Sequence, residues 1–243
     1  MDPVFVQIIL VAAVAGFVQG LSGFAFALVA VPLWAWTIEP QLLVPTVVVT
    51  AFLGQVISLL NLRKEVKLAR ATPFLIGGGV GVPLGVLILP TLNVAVFQLC
   101  VGVTLVIYSS VMLRAKILPV IRRGGKIADG FVGLVAGTMA SATGMPGPPI
   151  VLWCASRGWE KDVQRSTFQS FFIGTQILTI AMFVASGLIN ARSMQLVLVA
   201  AVPVILSSWI GARVFKKLKD KDFQSIIFGL LLLSGINLVL KSL

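Results

Sequence analysis

Thr143-Gly144-Met145-Pro146-Gly147-Pro148-Pro149 interrupts an apolar run from Ile127 to Cys154, and Gly20-Leu21-Ser22-Gly23 interrupts another from Val4 to Trp36. Glycine and proline at this density stop a helix. Each run is too long for one crossing of a bilayer and breaks near its middle. The two breaks hold corresponding places in the two halves of the chain. In a membrane protein, paired interrupted segments point to a transport site.

The rest of the composition agrees with a membrane setting. Of 243 residues, 58% are hydrophobic and 11% are charged, which is more apolar surface than a soluble domain needs. The net charge of +11 comes from short basic clusters between apolar runs. No continuous basic face is present, so nucleic acid is not an expected partner. Cys100 and Cys154 lie inside apolar runs and read as small hydrophobes rather than a disulfide. There is no histidine, no metal-ligand cluster and no cofactor motif. Met1-Asp2-Pro3 lacks the basic start of a secretory signal and reads as the beginning of the first span.

The halves resemble each other weakly. A shift of 117 positions places Gly16, Gly20 and Pro32 on Gly133, Gly137 and Pro149. A shift of 120 places Gly54 on Gly174 and Pro83 on Pro203, and one of 126 places Gly85 on Gly211 and Phe97-Gln98 on Phe223-Gln224. Together these matches predict an internal duplication. The first repeat occupies 1–114, a basic cytoplasmic linker 115–126, and the second repeat 127–243. Each half holds a broken segment and then three spans. They are about Leu42–Leu62, Thr72–Leu89 and Val94–Leu113, then Thr167–Leu188, Met194–Ala212 and Phe223–Leu240.

Basic residues decide how the broken segments run. If each crosses once, Arg157, Lys161, Arg165, Arg213, Lys216, Lys217, Lys219 and Lys221 lie outside. If each doubles back, all of the 19 basic residues except Arg192 and Lys241 lie inside. The positive-inside rule favours the second arrangement. The expected fold is therefore an all-α polytopic membrane protein of two inverted repeats with both termini outside. Each repeat is a re-entrant helix pair followed by three transmembrane helices. As helices, Val4–Leu21 and Phe24–Trp36 would be roughly 27 and 20 Å long, a hairpin of unequal arms. Its irregular tip is tolerated in a bilayer only against protein or a water-filled cavity.

Inverted hairpins bring the two tips to face each other. New helices begin after them, near Phe24 and Pro148. A helix N-terminus carries unpaired N–H groups and roughly half a positive charge, so two that converge make an anion site. Gly23, Gly144 and Gly147 let backbone approach the anion, while Ser22 and Thr143 offer hydroxyls that either donate to it or cap the new helices. Gln169 is a candidate donor and Arg165, one turn before it, a candidate entry residue or membrane anchor. Gln55 and Gln176 read as interhelical hydrogen-bonding groups, and the spaced glycines Gly16/Gly20, Gly77/Gly81/Gly85 and Gly133/Gly137 as close helix packing. Trp34, Trp36, Trp153 and Trp159 sit at segment ends, as interfacial anchors do. All eight acidic residues lie in loops or at span ends, so no mid-membrane carboxylate is available for a proton or sodium relay.

The run Gly16-Phe17-Val18-Gln19-Gly20-Leu21-Ser22-Gly23-Phe24 with Pro32 beyond it is similar to the TauE/SafE family of sulfite and organosulfonate exporters. The resemblance extends to Gly133–Gly137 with the second break and to Arg165-Ser166-Thr167-Phe168, and covers nearly the whole chain. Many members carry an unbroken glycine run at the first break, where this chain has Leu21-Ser22 before Gly23. The resemblance implies a bacterial inner-membrane transporter of small sulfur-containing or organic anions, and no enzyme. The expected function is export of sulfite or a sulfonate by alternating access, with Ser22, Gly23, Phe24, Thr143, Gly144, Gly147, Gln169 and Arg165 around the substrate. An ion-coupled uptake permease and an anion channel use the same site. A receptor or scaffold predicts no flux. The partners are the small anion and the lipid bilayer, and the sequence sets no oligomeric state.

Overall fold

The structure is a computed structural model that describes residues 3–60, 68–114, 120–121, 124–215 and 220–242. Among these residues ten α-helices follow in order: α1 (Pro3–Ser22), α2 (Phe26–Trp34), α3 (Pro40–Leu60), α4 (Leu68–Ile88), α5 (Val94–Leu113), α6 (Gly125–Ala142), α7 (Gly147–Ser156), α8 (Lys161–Ala185), α9 (Ala191–Phe215) and α10 (Asp220–Ser242). A 3-10 turn, Leu89–Thr91, joins α4 to α5. Six of them, α1, α3, α4, α5, α8 and α9, are long and apolar enough to cross a membrane, and α10 carries the shorter apolar stretch Phe228–Ser242. Exposed Ile76, Val80, Leu84 and Leu87 on α4 and Leu198, Val202 and Leu206 on α9 form the apolar exterior that lipid requires.

Both broken segments double back. Near the start of α1, Gln7 donates through Nε2 to Leu33 O at the end of α2 (3.0 Å) and accepts from Thr37 Oγ1. In the second half, Trp153 Nε1 near the end of α7 donates to Asp129 Oδ1 near the start of α6 (2.7 Å), and Ile121 N donates to Ser156 O. The shorter arms, α2 and α7, have 9 and 10 residues, or roughly 13–15 Å of helix. That is about half of a 30 Å hydrocarbon core, so they are half-helices. α2 begins at Phe26 rather than Phe24, because Phe24 and Ala25 belong to the tip.

Glycine sets the packing of the long helices. α1 runs parallel to α9, with Gly20 against Ala212 and Ser208 Oγ donating to Gly16 O (3.0 Å). α6 runs parallel to α4 in the same manner, with Gly137 against Gly78 and Ser141 Oγ donating to Val82 O (2.7 Å). α5 and α10 pack antiparallel, with Gly102 against Val239, Gly235 against Leu105, and Tyr108 edge-on to Phe228. A single crossing by the α6–α7 segment would make α5 and α10 parallel. Their antiparallel packing therefore agrees with the re-entrant hairpin.

Similar contacts recur in the two halves. Phe17 and Gly20 face Gly211 as Thr138 and Ser141 face Gly85, so residues 121 apart in α1 and α6, and 126 apart in α4 and α9, take like contacts. That spacing differs by one helical turn from the sequence match at 117, as glycines four residues apart allow.

The start of α4, the end of α7, the start of α6, the end of α5 and the start of α10 lie at one end of the bundle. Arg70 stacks on Trp159 there, and Arg157 stacks on Trp153 and Trp159. At the other end Lys241 sits over Trp36 and Gln98 Nε2 donates to Ala35 O. The basic loop residues Arg63, Lys64, Lys67, Lys116, Arg122, Arg123, Lys216, Lys217 and Lys219 lie outside the described residues. So does most of the linker expected at 115–126, whose last residues, Gly125 and Lys126, already belong to α6.

One sequence reading needs correction. Trp34 is not an interfacial anchor: it is fully buried, with its ring edge-on to Phe26. It points from the last turn of α2 into the protein, so the ring meets core rather than headgroups. Asp129 lies at a span end, one turn inside α6, where its buried carboxylate accepts from Trp153.

Candidate functional site

The first tip is built by Ser22. Its hydroxyl donates to Val18 O (2.8 Å), and its oxygen accepts from the amides of Phe24 (3.3 Å) and Ala25 (3.1 Å). It therefore closes α1 and caps the turn into α2. Gly23 takes φ +85°, a conformation that costs an L side chain about 1–2 kcal/mol. Its amide donates to Gln19 O (2.6 Å). The next amides, those of Ala27 and Leu28, have no hydrogen-bond partner among the described residues. They are the open N-terminus of α2.

Directly against this tip stand Arg165 and Gln169 of α8. A Cβ on Gly23 would lie 2.8 Å from Gln169 Nε2 and 3.1 Å from Arg165 Nη2. Gln169 is buried, and its Nε2 has no hydrogen-bond partner among the described residues. The second half thus supplies side-chain donors to the first hairpin, while Gly23 leaves the space that brings backbone and guanidinium together.

The second tip repeats the backbone and not the chemistry. Thr143 Oγ1 donates to Met139 O (2.9 Å), as Ser22 does to Val18 at the shift of 121. Gly144 takes φ +75°. The amides of Gly144, Gly147 and Ile150 have no partner among the described residues, and Pro148 and Pro149 carry no N–H. A Cβ on Gly144 would meet Val47 at 3.2 Å and Val31 at 3.8 Å. The residues 121 positions before Arg165 and Gln169 are Val44 and Val48 of α3, both buried.

Phe24 joins the two tips. A Cβ on Gly147 would lie 3.4 Å from Phe24 Cδ2, and the Phe24 ring packs on Phe168 and Phe172 of α8, with centroids 5.4 and 6.3 Å away. All eight candidate residues thus fall on the two tips or on the α8 wall beside them. Gly23, Phe24, Arg165 and Gln169 form one group and Thr143, Gly144 and Gly147 another, bridged by the Phe24 ring. Ser22 and Thr143 each direct their hydroxyl hydrogen into their own helix. Sequence reading passed over Phe168 and Phe172, whose spacing of four residues on α8 is the signal that finds them. Gln55 makes an interhelical contact, accepting from Gln19 Nε2 at 3.5 Å.

Paired re-entrant half-helices with open N-terminal amides, and a half-buried guanidinium beside a buried carboxamide, within a polytopic bundle are the marks of a membrane transporter. The family described as sulfite exporter TauE/SafE matches residues 8–238, and the chain belongs to it. Membership implies sulfur-containing anions as the class of cargo. No curated protein and no solved structure matches the chain.

Proposed function

We propose that the protein exports a small sulfur-containing anion, sulfite or an organosulfonate, across a bacterial inner membrane by alternating access. The anion rests between the hairpin tips. The observation that carries this reading is the meeting of Gly23, Arg165 and Gln169 beside the open N-terminus of α2. Donors fixed in a low-dielectric interior stabilise negative charge far more than water-exposed ones do. Gly144 and Gly147 present backbone amides from the opposite hairpin, and Phe24 stands between the two sets.

The proposed architecture is a pair of inverted repeats with both termini outside. The antiparallel packing of equivalent helices α5 and α10 supports it, since a two-fold axis in the membrane plane reverses its pairs. The end of the bundle that holds Arg70 and Arg157 is then cytoplasmic. Export needs no coupling ion: with an inside-negative potential of 100 mV, each negative charge leaving gains about 2.3 kcal/mol.

Flux in liposomes tests the reading. Purified protein in vesicles is given an imposed potential with no sodium or proton gradient. Anion efflux from the negative compartment is expected to rise with the potential and to saturate with substrate. Flux that requires a sodium or proton gradient would replace export by coupled uptake, and flux that never saturates would indicate a channel.

A further inference from the structure

α8 carries more polar surface than the tips use. Arg165, Gln169, Phe172, Gln176 and Thr179 recur at steps of four, three, four and three residues, which keeps them on one face of a helix. The face turned to α4 is a different one: Gly78 meets Phe171 and Thr175, and Gly174 meets Leu75. Gln169 is 6% exposed, Gln176 8% and Thr179 0%. Yet Gln169 Nε2, Gln176 Oε1 and Thr179 Oγ1 have no hydrogen-bond partner among the described residues. Elsewhere on the same helix, Thr167, Ser170 and Thr175 all return their hydroxyls to the backbone. Buried polar groups are normally satisfied, and a row of exceptions on one face calls for a polar occupant.

We propose that this face of α8 lines the path of the transported anion, and that Gln176 and Thr179 form a second polar station on it. Resting on the transport reading above, the inference extends that site along the helix. Seven residues separate Gln169 from Gln176, roughly 10 Å along the axis. Between the stations the rings of Phe24, Phe168 and Phe172 form an aromatic constriction. The anion leaves the Arg165–Gln169 station, passes these rings when Phe24 moves, and is received by the Gln176 amide and the Thr179 hydroxyl. At the shift of 121, α3 carries Val44, Val48, Ala51, Gln55 and Ser58, so Gln176 and Thr179 have polar counterparts there while Arg165 and Gln169 have none. The charged station is one-sided.

Two readouts test this. Gln176→Leu and Thr179→Val keep shape and remove the orphaned atoms. Each is expected to leave the melting temperature of the detergent-solubilised protein unchanged or higher while lowering vesicle flux of the transported anion at least fivefold, and Thr179→Ser is expected to restore flux. Undiminished flux in both apolar variants overturns the proposal. The second readout needs no flux. In a chain with Cys100 and Cys154 replaced by alanine, the anionic thiol reagent sulfonatoethyl methanethiosulfonate is expected to label Gln176→Cys and Thr179→Cys. It should leave Ile177→Cys, on the lipid-exposed face, unlabelled. Labelling of all three or none contradicts a hydrated path along α8. An inactive wild type with selective labelling at 176 and 179 would instead count against the transport reading while leaving the path in place.

Discussion

The two hairpin tips share one backbone and face opposite walls. At the first, Gly23 abuts a guanidinium and a carboxamide. At the second, Gly144 abuts Val47 and Val31. Ser22 and Thr143 make the same bond to the carbonyl four residues back, so the two tips share a local scaffold while their surroundings differ. The fold supplies two half-helices, and α8 places an ionic side chain beside the first of them.

The largest expected effect comes from removing that charge. Arg165→Ala should weaken anion binding roughly 10- to 100-fold, matching about 1.5–3 kcal/mol for a hydrogen bond to a charged group. Titration calorimetry on the purified protein reads it. An unchanged affinity would erase the distinction between the tips.

The glycines come next. Gly23→Ala places a methyl 2.8 Å from Gln169 Nε2 at φ +85°. It should cost about 1–2 kcal/mol of backbone strain, displace Gln169 and reduce flux. Gly147→Ala meets Phe24 at ordinary contact distance, 3.4 Å, and should stay near wild type. Equal flux from the two variants would break the comparison.

Gln169→Leu should lower affinity several-fold, from about 0.5–1.5 kcal/mol, with no fall in melting temperature, because Nε2 has no partner to lose among the described residues. A lower melting temperature with intact binding would make Gln169 a packing residue. The smallest effect separates the hydroxyls. Ser22→Ala should destabilise by about 1 kcal/mol, since it uncaps the Phe24 and Ala25 amides. Thr143→Ala, whose hydroxyl makes only a bond back into α6, should destabilise less. Paired thermal melts decide the order.

Much of this fold was legible in the sequence. Glycine and proline in the middle of long apolar runs marked both hairpins, and the three later spans of each half lay within a few residues of their observed helices. The basic clusters predicted the doubling back, because only that path gathers them at one end. The residues that build the two tips were legible as the content of the breaks. Arg165 and Gln169 were legible as polar candidates on a later span, but that they stand against the first tip, from the other half of the chain, was not. Val44 and Val48 look like any residues of an apolar span. The spacing of like contacts was not legible, because glycines four residues apart also match one helical turn away. Trp34 was misplaced because a tryptophan that ends a helix facing the core has the same sequence context as one that faces headgroups. Gln176 read as a helix-to-helix bond, and only coordinates reveal that its carbonyl oxygen meets no donor among the described residues.

The claim beneath all of this is that the α8 wall and the first tip together hold a small anion. Titrating purified wild-type protein and Arg165→Ala with sulfite, thiosulfate, sulfate and simple sulfonates tests it most directly. Saturable binding of sulfite or a sulfonate to the wild type, lost in Arg165→Ala, is the predicted result. No binding to the wild type, or equal affinity in both proteins, would contradict it.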